Sequence, residues 1–334
     1  MRKTSVSYRG FFVPGSTTGK LALVVTIASI YAASNRGSIL ECLTMTKTYE
    51  VRPGQSVELL KELHILTRDG KMNQDSRRKL KQVNHLFQFI EPLIQESQSN
   101  HADVTLVDHG AGKSYLGFIL YDLFFKESAK QGRILGIEAR EELVIRSREL
   151  AERFGFVGMT FLNQSVIESI KSEIVPDRVD IVTALHACDT ATDDAIRFAL
   201  QKRTKHIVLV PCCQAEVASV LRKNKSRVLS KSAISELWRH PLHTREFGSQ
   251  ITNVLRCLQL ESHGYQVSVT ELVGWEHSLK NELIIATFKD LTRDRPSQRL
   301  ADLLESVGLQ EMSGRFFSNG EQSNHTSANL RCDL

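Results

Sequence analysis

Two short clusters hold most of the side chains able to move protons, attack an electrophile or bind a soft metal. The first is Leu185-His186-Ala187-Cys188-Asp189, continuing through Thr190-Ala191-Thr192-Asp193. The second is Pro211-Cys212-Cys213-Gln214. His186 and Asp189 are placed to take a proton from an acceptor or to orient it. Asp189 and Thr192 could equally cap the helix that follows them, and His186 could simply pack against a flat ligand. Cys213 completes the catalytic candidates, while Pro211, Cys212, Cys213 and Gln214 read as the wall of an acceptor pocket. His186, Cys188, Cys212 and Cys213 are four soft ligands, yet adjacent cysteines rarely both reach one tetrahedral ion, so no metal is expected. A third polar segment, Glu276-His277-Ser278-Leu279-Lys280-Asn281, makes His277 and Asn281 candidate acceptor contacts.

What these residues act on is read from Thr105-Leu106-Val107-Asp108-His109-Gly110-Ala111-Gly112-Lys113-Ser114. An apolar run ends in an acid, two glycines follow, and an amphipathic segment begins. Gly112-Lys113-Ser114 imitates the end of a triphosphate loop, but that motif needs a glycine where Val107 stands. A dinucleotide fingerprint would need a third glycine at Tyr115, and Asp108 would repel a pyrophosphate. S-adenosylmethionine fits better, because its methionyl ammonium is cationic and its backbone neighbours at Gly110 and Gly112 can approach closely. Its ribose wants a carboxylate at the end of the second strand, where Glu138 stands, followed by Ala139. Its adenine wants polar groups after the third strand, where Asn163, Gln164 and Ser165 lie. The cofactor set is therefore Asp108, His109, Gly110, Gly112, Ser114, Glu138, Ala139, Gln164, Ser165, Leu185 and His186, with the His109 side chain directed off the turn.

The elements that must position these residues follow from periodicity. Short apolar runs at Val104–Asp108, Arg133–Glu138, Met159–Leu162, Val179–Leu185 and His206–Val210 alternate with helical patterns, the last of them from about Thr192 to Gln201. That alternation predicts an α/β fold with a parallel sheet covered on both faces. Residues 214–240 read as helical and basic, and a long helix follows with Phe247, Ile251, Val254, Leu255 and Leu258 on one face. Two strands, Tyr265–Val273 and Glu282–Phe288, predict a closing antiparallel hairpin. Before the sheet, Leu80, Val83, Leu86, Phe87, Ile90 and Leu93 form one helical stripe. The same helix carries Arg77, Arg78, Lys79, Lys81 and His85, either a solvated face or a phosphate-tracking surface. Asp69-Gly70 marks a turn before it.

DHGAGKSYL at 108–116, ALHACDTATDDAI at 184–196, PCCQ at 211–214 and EHSLKN at 276–281 resemble a family of class I methyltransferases. The family includes bacterial proteins and the eukaryotic methyltransferase-like protein 25 group, and the resemblance covers roughly residues 57–290. It implies a Rossmann-like, seven-stranded methyltransferase sheet with a terminal antiparallel hairpin and S-adenosylmethionine as methyl donor. RNA is the natural guess for the acceptor. Alternatives are a catalytically silent cofactor-binding module and an RNA cytosine-C5 methyltransferase with a cysteine nucleophile, although Cys188 and Cys212 match that context poorly.

The chain has 334 residues, a net charge of +5 and six cysteines without CxxC spacing. The charge permits an anionic partner without demanding one, and the cysteines read as reduced thiols of a cytoplasmic protein. The apolar run Leu21 to Ala33 is too short to span a bilayer, so no membrane association is expected. Residues 1–44 read as a weakly structured extension, with Met45 a candidate start and a cleaved export signal the alternative. Residues 45–100 follow as a helical segment, 101–290 as the methyltransferase domain, and 291–334 as a helix and a polar, disordered tail from about Gly314.

Overall fold

Seven strands arrange themselves in the order β3-β2-β1-β4-β5-β7-β6. They are β1 (Val104–His109), β2 (Gly132–Glu138), β3 (Met159–Asn163), β4 (Ile181–Leu185), β5 (His206–Val210), β6 (Tyr265–Glu271) and β7 (Glu282–Phe288). The first five run parallel, and β7 inserts antiparallel between β5 and β6. This architecture comes from a computed structural model, which describes residues 51–101, 103–126, 132–185, 187, 189–211, 215–224, 233–272 and 282–317. From Val51 onward the chain is one compact unit.

Every residue of β1 and β5 is buried, which explains why these strands read as continuous apolar runs rather than as alternating ones. Helices cover both faces: α1 (Val57–Glu62), α2 (Gln74–Asn100), α3 (Tyr115–Leu120), α4 (Glu141–Arg153), α5 (Val166–Lys171), α6 (Thr190–Gln201), α7 (Glu216–Lys223), α8 (Pro241–Ser262), α9 (Asp294–Ser306) and α10 (Ser313–Phe316). On one face, Leu59, Leu80, Ile90 and Ile94 of α1 and α2 join Leu106, Ile134 and Ile181 in a single core. On the other, α6 and α8 pack Ile196, Phe198 and Leu260 against Val107, Val182 and Leu209. A third core ties α7, α8, α9 and α10 together through Leu221, Leu255, Leu304 and Phe316.

The helix after β1 departs from the simple pattern: α3 passes into a π-helical turn at Tyr121–Phe125. That turn brings the Tyr121 hydroxyl to accept the Gly158 N–H at 2.9 Å and leaves Asp122 Oδ2 to accept the Ser56 N–H at 2.7 Å. The wider turn therefore serves tertiary partners that helical periodicity does not reveal. The ordered chain also outruns the expected limit near Gly314, because Phe316 and Phe317 are buried in the third core. In the 214–240 region the described part is α7 followed by a 3-10 helix, Ala233–Trp238. Among the described residues, no helix is long and apolar enough to cross a membrane.

Candidate active site

Parallel strands place the ends of β1, β2, β3, β4 and β5 along one edge, and the candidate residues collect there. The turn after β1 needs left-handed backbone at Gly110 (φ 66°), Gly112 (φ 57°) and Ser114 (φ 49°). Glycine takes that conformation without penalty, so the loop can fold tightly and expose N–H groups to a ligand. Glu138, at the end of β2, fixes the loop from below: Gly112 N–H donates to its Oε2 at 2.8 Å. Its Oε1 accepts from Arg140 N–H and Nε, both at 3.0 Å. Hydrogen bonds from Arg140 and Gly112, with the Arg140 charge, outweigh burial and hold the Glu138 pKa below its ordinary value. It stays ionised, and Arg140 Nη2 donates to its Oε2 at 3.3 Å, so all four acceptor positions of the carboxylate are taken.

Asp108 is the opposite case. It is 2% exposed, and burial pushes its pKa up to about 6. Thr183 Oγ1 donates to its Oδ1 at 2.8 Å, with a longer bond from Ser114 Oγ at 3.5 Å, and both oppose the shift. No cation neutralises it among the described residues. A buried carboxyl held by two hydroxyls is an incomplete charge site that a ligand ammonium would complete. Asp108 also lines a cavity of about 220 Å³, walled by Ala111, Leu116, Leu185 and Leu272 and roofed by Lys79, Gln82 and Val83 of α2.

At the end of β3, Asn163 Nδ2 donates to the carbonyls of Glu138 and Ala139 at 3.2 and 2.9 Å, locking the two strand ends together. Gln164 donates Nε2 to Ser172 Oγ at 3.4 Å and keeps a buried Oε1 without a partner. Ser165 is engaged in a capping box: Glu168 N–H donates to Ser165 Oγ, and Ser165 N–H donates to the Glu168 carboxylate. Its side chain is thus committed to starting α5. His109 contributes backbone to the turn, while its ring lies buried against Phe198 at 5.4 Å between centroids. Both ring nitrogens lack partners and burial lowers its pKa to about 4, so it is a neutral core residue.

On the acceptor side, Asp189 has φ 51° and ψ −119°, a backbone state that costs a non-glycine residue about 1–3 kcal/mol. Its Oδ1 accepts the N–H groups of Ala215 and Glu216 at 3.1 and 3.3 Å. Asp189 therefore caps α7 across the edge rather than its own helix α6. Thr192 Oγ1 closes the β4 turn by donating to the Ala187 carbonyl at 2.5 Å. Pro211 is buried at the end of β5. His186, Cys188, Cys212, Cys213, Gln214, Glu276, His277, Lys280 and Asn281 lie outside the described residues. Cys257, in α8, has its pKa pushed up to about 12 by burial and is no thiolate nucleophile.

Sequence reasoning passed over Arg140 and Thr183, which bond Glu138 and Asp108, and Gln82, which lines the cavity beside Asp108. It also passed over Arg256, Arg315 and Asn253, which bond the segments after β4 and β5 and at the start of β7. Thr183 carries a legible signal, since a hydroxyl inside an otherwise apolar strand wants a polar neighbour. Arg256 and Asn253 look like ordinary polar positions of an amphipathic helix.

Residues 78–220 match the family model described as a methyltransferase domain. That span runs from α2 through α7 and takes in all five parallel strands. A glutathione S-transferase C-terminal domain-containing protein of Bos taurus is 25% identical over 239 residues, 66% of this chain and 35% of that protein. The chain thus spans about a third of the length of that curated relative. Similar solved structures include magnesium protoporphyrin IX methyltransferase from Synechocystis PCC 6803 with bound SAH, 13% identical, covering 70% of this chain and 93% of that one (TM-score 0.41). Another is an rRNA methylase from Streptococcus thermophilus, 9% identical, covering 56% and 87% (TM-score 0.34). The span that matches the methyltransferase-domain model holds Asp108, the glycine turn and Glu138.

Proposed function

We propose that this methyltransferase domain acts on RNA, with the donor held between Asp108 and Glu138 and the acceptor approaching over β4 and β5. The observation that carries the donor assignment is the contrast between two carboxyls one strand apart. Asp108 is buried and has no counter-charge among the described residues, whereas Glu138 is ionised and already anchors the glycine loop. An ammonium completes the first, and vicinal hydroxyls would donate to the second in place of the 3.3 Å bond from Arg140 Nη2. The unpartnered Gln164 Oε1 suits the adenine amino group. Lys79 and Gln82, at the cavity roof beyond Asp108, suit the methionyl carboxylate.

S-adenosylmethionine, when bound, supplies a methyl on a sulfonium that needs no further activation. The protein's task is alignment of the acceptor and removal of any proton it carries. Asp189 is occupied as a cap, which shifts the proton role toward His186, next to Leu185 at the end of β4. Support for RNA comes from α2, where Arg77, Arg78 and Lys79 are exposed on the helix that roofs the cavity. Cationic side chains there would follow a phosphate backbone toward the site.

Calorimetric titration with S-adenosylmethionine tests the donor site: micromolar binding is expected, with at least a hundredfold loss in Asp108→Ala. Nucleoside mass spectrometry on RNA from cells with and without the gene tests the acceptor. Loss of one methylated nucleoside is expected, and an unchanged nucleoside profile overturns the RNA reading.

A further inference from the structure

Arg256 stands in the middle of α8 and is completely buried, although guanidinium is among the costliest groups to remove from water. Its donors go in three directions. Nε and Nη2 donate to the Asp193 carboxylate at 2.7 and 3.1 Å, and Nη2 also donates to the Asp189 carbonyl at 2.8 Å. Nη1 donates to Asn253 Oδ1 at 3.1 Å, and Asn253 Nδ2 in turn donates to Glu282 Oε2 at 2.6 Å. Asp193 Oδ2 accepts a further bond from Arg315 Nη1 at 3.1 Å, and Arg315 Nη2 donates to Glu216 Oε1 at 2.8 Å.

The three ends of this network are not scattered. Asp189 follows β4, Glu216 opens α7 after β5, and Glu282 begins β7. These are the three chain segments bordering the sheet edge on the acceptor side; the buried cation bonds the first directly, the third through Asn253 and the second through Asp193 and Arg315. Asp189, held by Arg256 through its carbonyl, passes the constraint on by capping Ala215 and Glu216. None of these residues contacts the glycine loop or Glu138 in the hydrogen-bond network.

We infer that Arg256 is a positioning residue for methyl transfer, setting the mutual placement of the three acceptor-side segments while leaving the donor site alone. A buried ion pair is a weak source of stability when both partners are replaced, and in Arg256→Met the stranded Asp193 carboxylate still keeps Arg315. What Arg256 supplies is direction, because a planar fork with fixed donors accepts few arrangements of its partners. The role in catalysis rests on the methyltransferase reading of the edge, but the mechanical claim does not.

The experiment separates the two. Amide hydrogen exchange is followed residue by residue in the full chain and in Arg256→Met, Arg256→Lys and Asn253→Ala. In Arg256→Met, exchange at Ala215 and Glu216 and around Glu282 should quicken at least tenfold, with residues 108–114 unchanged. S-adenosylmethionine affinity should stay within twofold, while methyl transfer from labelled donor to total cellular RNA falls at least tenfold. Arg256→Lys should leave that loss largely unrepaired, since an ammonium cannot span the same partners. If Arg256→Met fails to fold, Asn253→Ala removes the arm to Glu282 and leaves the Arg256–Asp193 and Arg256–Asp189 bonds, so exchange should quicken more around Glu282 than at Ala215. Unchanged exchange at all three segments, or a uniform rise across the chain, overturns the inference. Altered exchange with no methyl transfer by the wild-type protein keeps the network and removes only the RNA reading.

Discussion

The β1–β3 half of the sheet edge, proposed to hold the donor, and the β4–β7 half, proposed to face the acceptor, are built on different plans. The donor half is assembled from backbone and from residues at strand ends: a left-handed turn, Glu138 beneath it, Asn163 bridging β2 and β3. Each bond there joins neighbouring strands. The acceptor half depends on α8 and α10, whose Arg256 and Arg315 come from 63 and 122 positions beyond Asp193. On the proposed assignment, the difference teaches how one fold could keep a cofactor and change its substrate: the donor half is a property of the sheet, while the acceptor half is a property of the helices laid over it.

Substitutions should respect that division. Glu138→Ala removes the acceptor of the Gly112 N–H and the partner of Arg140, so it damages loop and ligand together. A loss of S-adenosylmethionine affinity of about a hundredfold, or about 2.7 kcal/mol, is expected by calorimetry, since charge-assisted bonds of this kind contribute about 1.5–3 kcal/mol. A comparable loss of thermal stability without a loss of affinity would erase the distinction between the halves.

Gly248→Ala tests the other side. A Cβ there would lie 2.8 Å from the Ala218 Cα, so α8 must move away from α7. Overpacking of this kind costs about 1–3 kcal/mol. Methyl transfer should fall and donor affinity should hold, measured by label transfer and by calorimetry on the same preparation.

A third test uses pH. Burial raises the Asp108 pKa to about 6, so below that value the carboxyl is largely neutral and cannot neutralise an ammonium. Donor affinity should therefore rise about tenfold between about pH 5 and 7 and level off above, following the ionised fraction. Asp108→Asn should flatten that profile. The same shift means that, in the empty protein, Asp108 contributes stability below about pH 4 that is lost as pH rises through about 6.

Ser165→Ala gives a smaller effect, because its hydroxyl is spent on the capping box of α5. About 1 kcal/mol of stability should go, with donor affinity within twofold. Smallest of all is His109→Leu, which removes an imidazole with two unpartnered nitrogens. The melting temperature should hold or rise by a few degrees, and affinity should not change; a tenfold affinity loss would bring the His109 side chain back into the donor site.

Legibility divides along the same line. Strand runs, the hairpin and the glycine turn are local patterns, and β5 and β7 begin and end where their apolar runs do. Asp108 and Glu138 could be read because strand ends in a parallel sheet share one edge. The π-helical turn at Tyr121–Phe125 could not, since its partners Ser56 and Gly158 are remote in sequence. Side-chain commitments were equally hidden: Ser165 is claimed by Glu168, and Asp189 by an α7 whose start lies 26 and 27 positions away. Arg256 carries no signal of its own, because nothing in the spacing of α8 reveals that Asp193 faces it.

Asp189 carries one more consequence. Its backbone sits where glycine is at ease, so Asp189→Gly trades a strained turn for the loss of a cap, two terms of similar size. Such a chain would fold and hold its donor while its acceptor side drifted apart. Stability selection alone would therefore not guard this position, and only selection for turnover would. Among duplicated copies of such a domain, an aspartate retained here would mark those still working, and a glycine those kept for binding alone.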